Sequence, residues 1–350
     1  MRSGNSVARL TLLALAVCAT NKAQFFRKNY ALVIAVDRYR DSSWAQLSSA
    51  QKGAEAVARF LSAHGYEVAS LYNDRATKTG ILAGLDRLAR LSGPDDRALV
   101  YFAGHGYTVS LPAADEGFLV PFNGTTSERT LVSMRELGQR SARIRARHQL
   151  YLVDSCYSGL AWTGGVKANH LDPTHIQMLA AGKARQVITA GRKDQRVTDT
   201  GPDGYSLFTG ALLRGLAGRA DLNKDGYITV SELGAYLDTC GSNRFQNPTI
   251  GSLRGQTNGE FFFEIGKSIE GSSPGADCGF ERSRSAAQQY TACDLNHNGL
   301  LDSIDMDEMI GEALRTLPCK DSLTGTGTCT VVDVQRVINA VLTGTCRVGP

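Results

Sequence analysis

Between Asn29 and Gly266 the chain repeats one pattern: a short apolar run rich in β-branched and aromatic residues, then a longer stretch with apolar residues at helical spacing. Strands apolar on both faces must be covered on both, and amphipathic crossover segments supply the cover. The strand candidates are residues 30–36, 98–102, 149–153, 186–189 and 261–265. Residues 50–63 carry Ala54, Val57, Phe60 and Leu61 on one helical face, and residues 81–91 carry Leu82, Leu85, Leu88 and Leu91. Both read as crossover helices. The expectation is an α/β domain, a mostly parallel sheet flanked by helices.

The chain has 350 residues, 42% of them hydrophobic and 21% charged, which is an ordinary globular composition with room for two or three domains. A formal charge of +4, scattered along the sequence, gives no basis for a nucleic-acid groove or a polybasic membrane patch. Arg2 and Arg9 precede the apolar run Leu10 to Val17, a charged region and short hydrophobic region of the kind that opens an export signal, assigned to residues 1–23. An N-terminal core helix is its rival. The run is short for a transmembrane helix, and no later stretch reaches bilayer length.

The first domain is assigned to residues 24–266, a Gly/Ser/Pro linker to 267–277 and a separate module to 278–350. The module holds 9 acidic against 6 basic residues, a balance that suits cation binding. It also holds Cys278, Cys293, Cys319, Cys329 and Cys346, with Cys240 not far before. That density points to disulfides in an oxidising compartment, against a zinc rival that lacks CxxC pairs and nearby histidines. Six cysteines leave 15 pairings open. Shifting residues 294–314 by 28 lays Asn298-Gly299 on Thr326-Gly327 and Met309-Ile310 on Val337-Ile338, so two loop-helix units are expected. Their helices, 306–316 and 334–343, should pack through Met309, Ile310, Leu314, Val337, Ile338 and Leu342.

Two segments fall at strand carboxyl ends, where open α/β sheets place their sites. One is Tyr101-Phe102-Ala103-Gly104-His105-Gly106; the other is Val153-Asp154-Ser155-Cys156-Tyr157-Ser158-Gly159. A lone His or Cys is usually structural, but paired, glycine-wrapped and on strand tips they suit a nucleophile and its base. Cys156 would attack, His105 would serve as base and then acid, and the backbone N–H groups of Gly106 and Cys156 would hold the oxyanion. None of these roles needs a metal. His148, His170 and His175 read as capping or solvent-facing.

With these motifs, and with Gly204-Tyr205-Ser206-Leu207-Phe208-Thr209 further on, residues 29–266 resemble the caspase-like cysteine peptidases, in their metacaspase and bacterial branch. The resemblance implies the caspase-hemoglobinase fold, a dyad carried onto His105 and Cys156, a protein or peptide substrate, and cleavage after Arg or Lys. Ala103 and Asp154 would line the substrate pocket; a carboxylate two residues before the nucleophile suits a basic side chain. A role in orienting backbone amides is the alternative for Asp154. Relatives usually carry a second pocket Asp early in the first crossover helix, where this chain has Ala50-Gln51-Lys52-Gly53-Ala54.

Asp221, Asn223, Asp225, Gly226, Tyr227, Thr229 and Glu232 match a twelve-residue calcium loop at every liganding place, although such an acidic turn also serves to cap and connect helices. In the tail Asp294, Asn296, Asn298, the Leu300 carbonyl, Asp302 and Asp305 form a second loop for Ca²⁺. Its companion keeps only Asp333, with Ser322, Thr324, Thr326 and Thr330 at the other places. Tandem units of this type resemble dockerin modules, which implies a cohesin-like protein partner. The function expected is that of a secreted cysteine endopeptidase with a calcium-dependent appendage; the alternative is an inactive scaffold on the same fold.

Overall fold

The computed structural model describes residues 25–109, 115–155, 173–191, 199–201, 203–241, 246–265, 278, 292–293, 295, 303–315, 318–320, 322–343 and 346–349. The chain divides into two compact units, Met1–Phe280 and Glu281–Pro350. In the first unit the strands are β1 (Asn29–Ala35), β2 (Tyr66–Tyr72), β3 (Arg97–Ala103), β4 (Gly106–Val109), β5 (Glu116–Leu119), β6 (Val132–Ser133), β7 (His148–Asp154), β8 (Ala184–Thr189), β9 (Tyr227–Thr229), β10 (Thr249–Ser252) and β11 (Phe262–Glu264). The helices are α1 (Ala50–Ala63), α2 (Lys78–Leu91), α3 (Met134–Ser141), α4 (Pro173–Ala181), α5 (Leu207–Arg214) and α6 (Val230–Cys240).

The main sheet has the order β10-β8-β7-β3-β1-β2. All neighbours are parallel except β10, which runs antiparallel to β8. After β2 the chain crosses back over β1 to β3 and then builds outward through β7 and β8, so the switch point lies between β1 and β3. The register aligns the strand tips: Ala35 pairs with Ala103, and Ala103 with Asp154.

Side chains alternate across the sheet as the period of two demands. Val33, Leu99, Tyr101, Leu150 and Leu152 face Ala54, Val57 and Leu61 of α1 together with Phe208, Leu212, Leu233 and Leu237 of α5 and α6. Leu32, Ile34, Val100, Phe102, Tyr151 and Val153 face Ile81, Leu85 and Leu88 of α2 and Met134 and Leu137 of α3. Each central strand is therefore buried along its whole length. Helix starts are set by hydroxyl caps: Thr77 on α2, Ser206 on α5, and capping boxes Ser133/Glu136 on α3 and Thr229/Glu232 on α6. The cap at Thr77 is why α2 begins at Lys78, earlier than its leucine face.

Three sequence expectations are corrected. The apolar run 261–265 is not in the main sheet: β11 pairs antiparallel with β9 in a two-stranded ribbon, Phe262 packing against α4 and the N-terminal Phe25 and Phe26 while Phe261 and Phe263 join the α1, α5 and α6 side of the core. Apolar content shows burial but not the sheet. The strand β2 has the alternating sequence YEVASLY and escaped the search for runs apolar on both faces, because it is the sheet's edge and only half-covered. Of the two roles expected for His148, facing solvent is excluded and capping holds, since it reaches the carbonyls at the end of α4. It opens β7 fully buried, its Nε2 3.1 Å from the carbonyls of both Leu179 and Gly182, and burial pushes its pKa down to about 3.

In the second unit the described helices are α7 (Ser303–Ala313) and α8 (Val331–Thr343), each starting three residues before the expected position. They pack around Cys293, Leu295, Met309, Leu323, Val337 and Ala340. Leu314 was expected in that contact and is instead 70% exposed, since α7 ends before it. Leu342 lies outside the residues whose side chains are described. Disulfides join Cys293 to Cys346 and Cys319 to Cys329, while Cys240 bonds to Cys278, which places Cys278 with the first unit. The six cysteines thus form one staple in the first unit and two in the second. Among the described residues no helix is long and apolar enough to cross a membrane.

Candidate active site

The site grows from the aligned tips of β3 and β7. Beyond Ala103, Gly104 donates its N–H to the Asp154 carbonyl (3.2 Å), continuing the ladder one step past the strand. A Cβ on Gly104 would stand 2.8 Å from the Tyr39 hydroxyl, so only glycine lets the chain pass that close. The next residue, His105, donates its backbone N–H to the same Tyr39 hydroxyl (2.6 Å), and that hydroxyl donates onward to the Val36 carbonyl (3.0 Å). Burial keeps the Tyr39 phenol protonated well above its usual range, so it remains available as that donor.

The His105 ring lies against Tyr39, with centroids 4.9 Å apart, and near Trp44 at 6.1 Å. Its Nε2 is 2.8 Å from the Ala45 carbonyl. An Nε2–H donated there fixes the tautomer and leaves Nδ1 free to exchange a proton. The loop that presents Ala45 is closed by Leu47 N–H to the Asp37 carbonyl (2.8 Å). Gln46 clamps it further, accepting from Tyr39 N–H (2.8 Å) and donating to the Tyr39 carbonyl (3.3 Å). Tyr39, Trp44, Ala45 and Gln46 were missed by sequence reasoning. They act through backbone atoms and ring packing, which leave no motif, although the aromatic pair so close to β1 is a signal of a sort.

Asp154 ends β7 with a buried carboxylate. Its Oδ2 accepts from Ser206 Oγ (2.5 Å) and Thr209 Oγ1 (2.5 Å), with Tyr101 Oη at 3.5 Å; its Oδ1 has no partner among the described residues. Burial raises its pKa to about 6, partly offset by the Ser206 and Thr209 donors. These partners are side-chain hydroxyls, so the carboxylate does not spend itself on backbone amides. Ser206 and Thr209 come from the start of α5, within the Gly204 to Thr209 segment singled out above. Gly53 in α1 explains their reach: a Cβ there would meet the Thr209 methyl at 3.1 Å.

Gly106 opens β4 and pairs with Leu119 of β5. Ala103 is buried at the end of β3. Cys156 lies outside the described residues, as do His170 and the side chain of His175. The start of α1, whose own Ser49 makes no side-chain cap, is capped across the chain by Asp199. Its carboxylate accepts from the N–H of Ser48 (2.6 Å) and of Ser49 (3.3 Å), and from both hydroxyls.

A model of the caspase domain family matches residues 28–252. The chain belongs to the caspase-domain family. Among curated proteins, a probable protease of a Desulfuromonadales bacterium is 30% identical over 92 residues, 25% of this chain and only 11% of that relative's length. Among solved structures, a structural-genomics protein from Geobacter sulfurreducens is 20% identical, with a TM-score of 0.48 over 65% of this chain and 93% of its own. Caspase-1 from Spodoptera frugiperda is 14% identical, with a TM-score of 0.47 over 69% of this chain and 91% of its own.

Within the caspase domain the calcium-like loop follows α5. Asp221 accepts from Asp225 N–H and Gly226 N–H (both 3.1 Å), Asn223 Oδ1 from Asp225 N–H (2.9 Å) and Asp225 from Tyr227 N–H (2.8 Å). Lys224 and Gly226 take the positive φ that the turn requires. Glu232 accepts from Thr229 N–H (3.0 Å) and Oγ1 (2.9 Å), because the ninth and twelfth places of such a loop are also those of a capping box. Burial raises the pKa of both Asp225 and Glu232. The six residues Asp221, Asn223, Asp225, Tyr227, Thr229 and Glu232 thus form the turn itself, and their donor set of oxygens fits Ca²⁺.

In the second unit Asp294, Asn296, Asn298, Leu300 and Asp302, and the side chain of Asp305, lie outside what is described. The companion loop is visible. Asp333 is buried and accepts from Thr324 N–H (2.9 Å), Thr330 N–H (2.8 Å) and Thr330 Oγ1 (2.9 Å). Burial alone would raise its pKa, but these donors hold it below the usual range. Thr324 Oγ1 lies 3.3 Å from Ser322 Oγ and 3.1 Å from Thr326 Oγ1, so hydroxyls satisfy one another where a cation would otherwise sit. Glu312, Cys319 and Cys329 cluster nearby, but the two sulfurs are bonded to each other, which answers the zinc rival there.

Proposed function

We propose that the chain is an exported cysteine endopeptidase that cleaves after Lys or Arg, with Cys156 as nucleophile and His105 as base and acid. One observation carries the reading. Ala103 and Asp154 are register partners at the ends of adjacent parallel strands, and His105 and Cys156 each follow two residues later. With strands about 4.8 Å apart, both motifs start from neighbouring strand ends. Family membership and the likeness to a probable protease support the same conclusion.

In the proposed reaction Nδ1 of His105 takes the Cys156 thiol proton, and the thiolate adds to the scissile carbonyl. The backbone N–H groups of Gly106 and Cys156 hold the oxyanion while His105 protonates the leaving amine. Water, activated by the same imidazole, then releases the acyl group. The Ala45 carbonyl keeps the ring oriented through both proton transfers. Asp154, with Ala103 beside it, holds the basic side chain through Oδ1, the oxygen left without a partner. Against the scaffold alternative stands the joint presence of His105 and Cys156.

The appended module is proposed to take one Ca²⁺ through Asp294, Asn296, Asn298, Leu300, Asp302 and Asp305 and to dock a cohesin-like protein; the 221–232 loop is a second candidate for the ion. Cleavage of a fluorogenic peptide library by the full chain, with and without Ca²⁺ and beside Cys156→Ala, tests the reading. Thiol-dependent cleavage after Lys or Arg that the variant loses is expected. A profile dominated by Asp, or a variant as active as the parent, overturns it.

A further inference from the structure

We propose that the Asp154 pocket selects lysine over arginine, an inference that rests on the basic-residue reading above. The carboxylate offers a ligand one oxygen, not two. Oδ2 already accepts short bonds from Ser206 Oγ and Thr209 Oγ1, both 2.5 Å, and the Tyr101 hydroxyl stands against the same cluster, 2.6 Å from Thr209 Oγ1. Neither donor is free to swing aside. Ser206 Oγ also accepts the Thr209 N–H (2.9 Å) as the cap of α5, and the Thr209 methyl is wedged against Gly53 of α1. Oδ1 is buried and unpartnered.

A guanidinium owes its usual advantage at a carboxylate to two parallel N–H···O bonds, one to each oxygen. With Oδ2 engaged that fork cannot close, and most of the five donors gain no bond from this carboxylate. An ammonium is a point charge with three donors and is served by a single oxygen. Its stronger hydration works against it, but both ligands give up water for the same one oxygen, and arginine leaves more donors unsatisfied. Gly53 offers no carboxylate of its own, and the Asp199 carboxylate, whose charge Asp154 feels, is taken up by the N–H groups and hydroxyls of Ser48 and Ser49.

The experiment compares kcat/KM of the full chain on two peptides that differ only in lysine or arginine before the scissile bond, for the parent, Thr209→Val and Ser206→Ala. Lysine is expected to be favoured roughly tenfold, the worth of one charge-assisted hydrogen bond. Thr209→Val, isosteric and without the hydroxyl, should free one of the two places taken on Oδ2 and move the ratio toward arginine by about threefold or more, mainly through KM. Ser206→Ala should do the same if α5 tolerates loss of its cap, and thermal melts report whether it does. Equal or better cleavage after arginine in the parent overturns the inference and leaves the basic-residue reading standing. A ratio unmoved in a folded Thr209→Val also overturns it. Cleavage confined to uncharged or acidic side chains overturns both.

Discussion

Asp154 shows at the scale of one residue how stability is given up for a site. Its pKa of about 6 lies above its ordinary 3.8 because a carboxylate is buried with one oxygen unpartnered. A raised carboxyl pKa means the folded chain holds its proton more tightly than the unfolded one. That contribution is complete below about pH 4 and is lost as pH rises through about 6, above which the buried charge costs up to ~3 kcal/mol. Asp154→Asn should therefore match the parent in thermal stability below about pH 4 and exceed it at pH 8, as read from melting curves. The same protonation should raise KM for a lysine substrate as pH falls below 6. Tyr39 makes the complementary case, since its hydroxyl positions His105 without touching the reaction. Tyr39→Phe should lower kcat by about tenfold with KM within twofold, because displacements of about 1 Å at a reacting group cost up to a hundredfold. His105 and Asp154 were legible because side-chain chemistry at strand tips leaves a motif. Ala45, Gln46 and Tyr39 were not, because a carbonyl, an amide clamp and a ring edge can come from many sequences.

Among elements, the best-read were those whose burial is uniform. The strands β3 and β7 carry apolar residues on both faces and lie at the centre of the sheet, where both faces are covered. Strand β2 alternates because it is an edge, and β11 is as apolar as any central strand yet belongs to a ribbon. Periodicity reports how much an element is buried, whereas its partners are set by long-range pairing. The cap of α1 is another such case, invisible locally because Asp199 supplies it from about 150 residues away. Asp199→Ala should lower stability by about 1 kcal/mol, the usual cost of losing a helix cap, measurable by urea titration. Asp199→Asn should recover part of it by keeping acceptor oxygen for the Ser48 and Ser49 N–H groups.

At the scale of the whole molecule the chain is two units with different means of support: a covered sheet with one disulfide, and a small helix pair held by two. A module of some 70 residues buries little core, and covalent or ionic bracing compensates. In the visible loop the bracing is hydroxyl to hydroxyl, around Asp333. Within the second unit, calcium dependence is accordingly proposed for the other loop. In the full chain Asp294→Ala with Asp305→Ala should remove a Ca²⁺-dependent rise in the melting temperature of the second unit, while cleavage by the first unit persists. Two comparable Ca²⁺ sites in calorimetry of the second unit would contradict that division. The two helices of the tail were legible because the repeat spacing survives, but the disulfide pairing, which depends on how the helices meet, was not. The central claim is that the register partners Ala103 and Asp154 deliver His105 and Cys156 to one reaction. It is tested most directly by treating the full chain with a peptidyl-lysyl chloromethyl ketone and mapping the adduct by mass spectrometry. One adduct per chain on Cys156, lost in His105→Ala, is the predicted result; hydrolysis that continues with Cys156 unmodified, or an adduct confined to another residue, would contradict it.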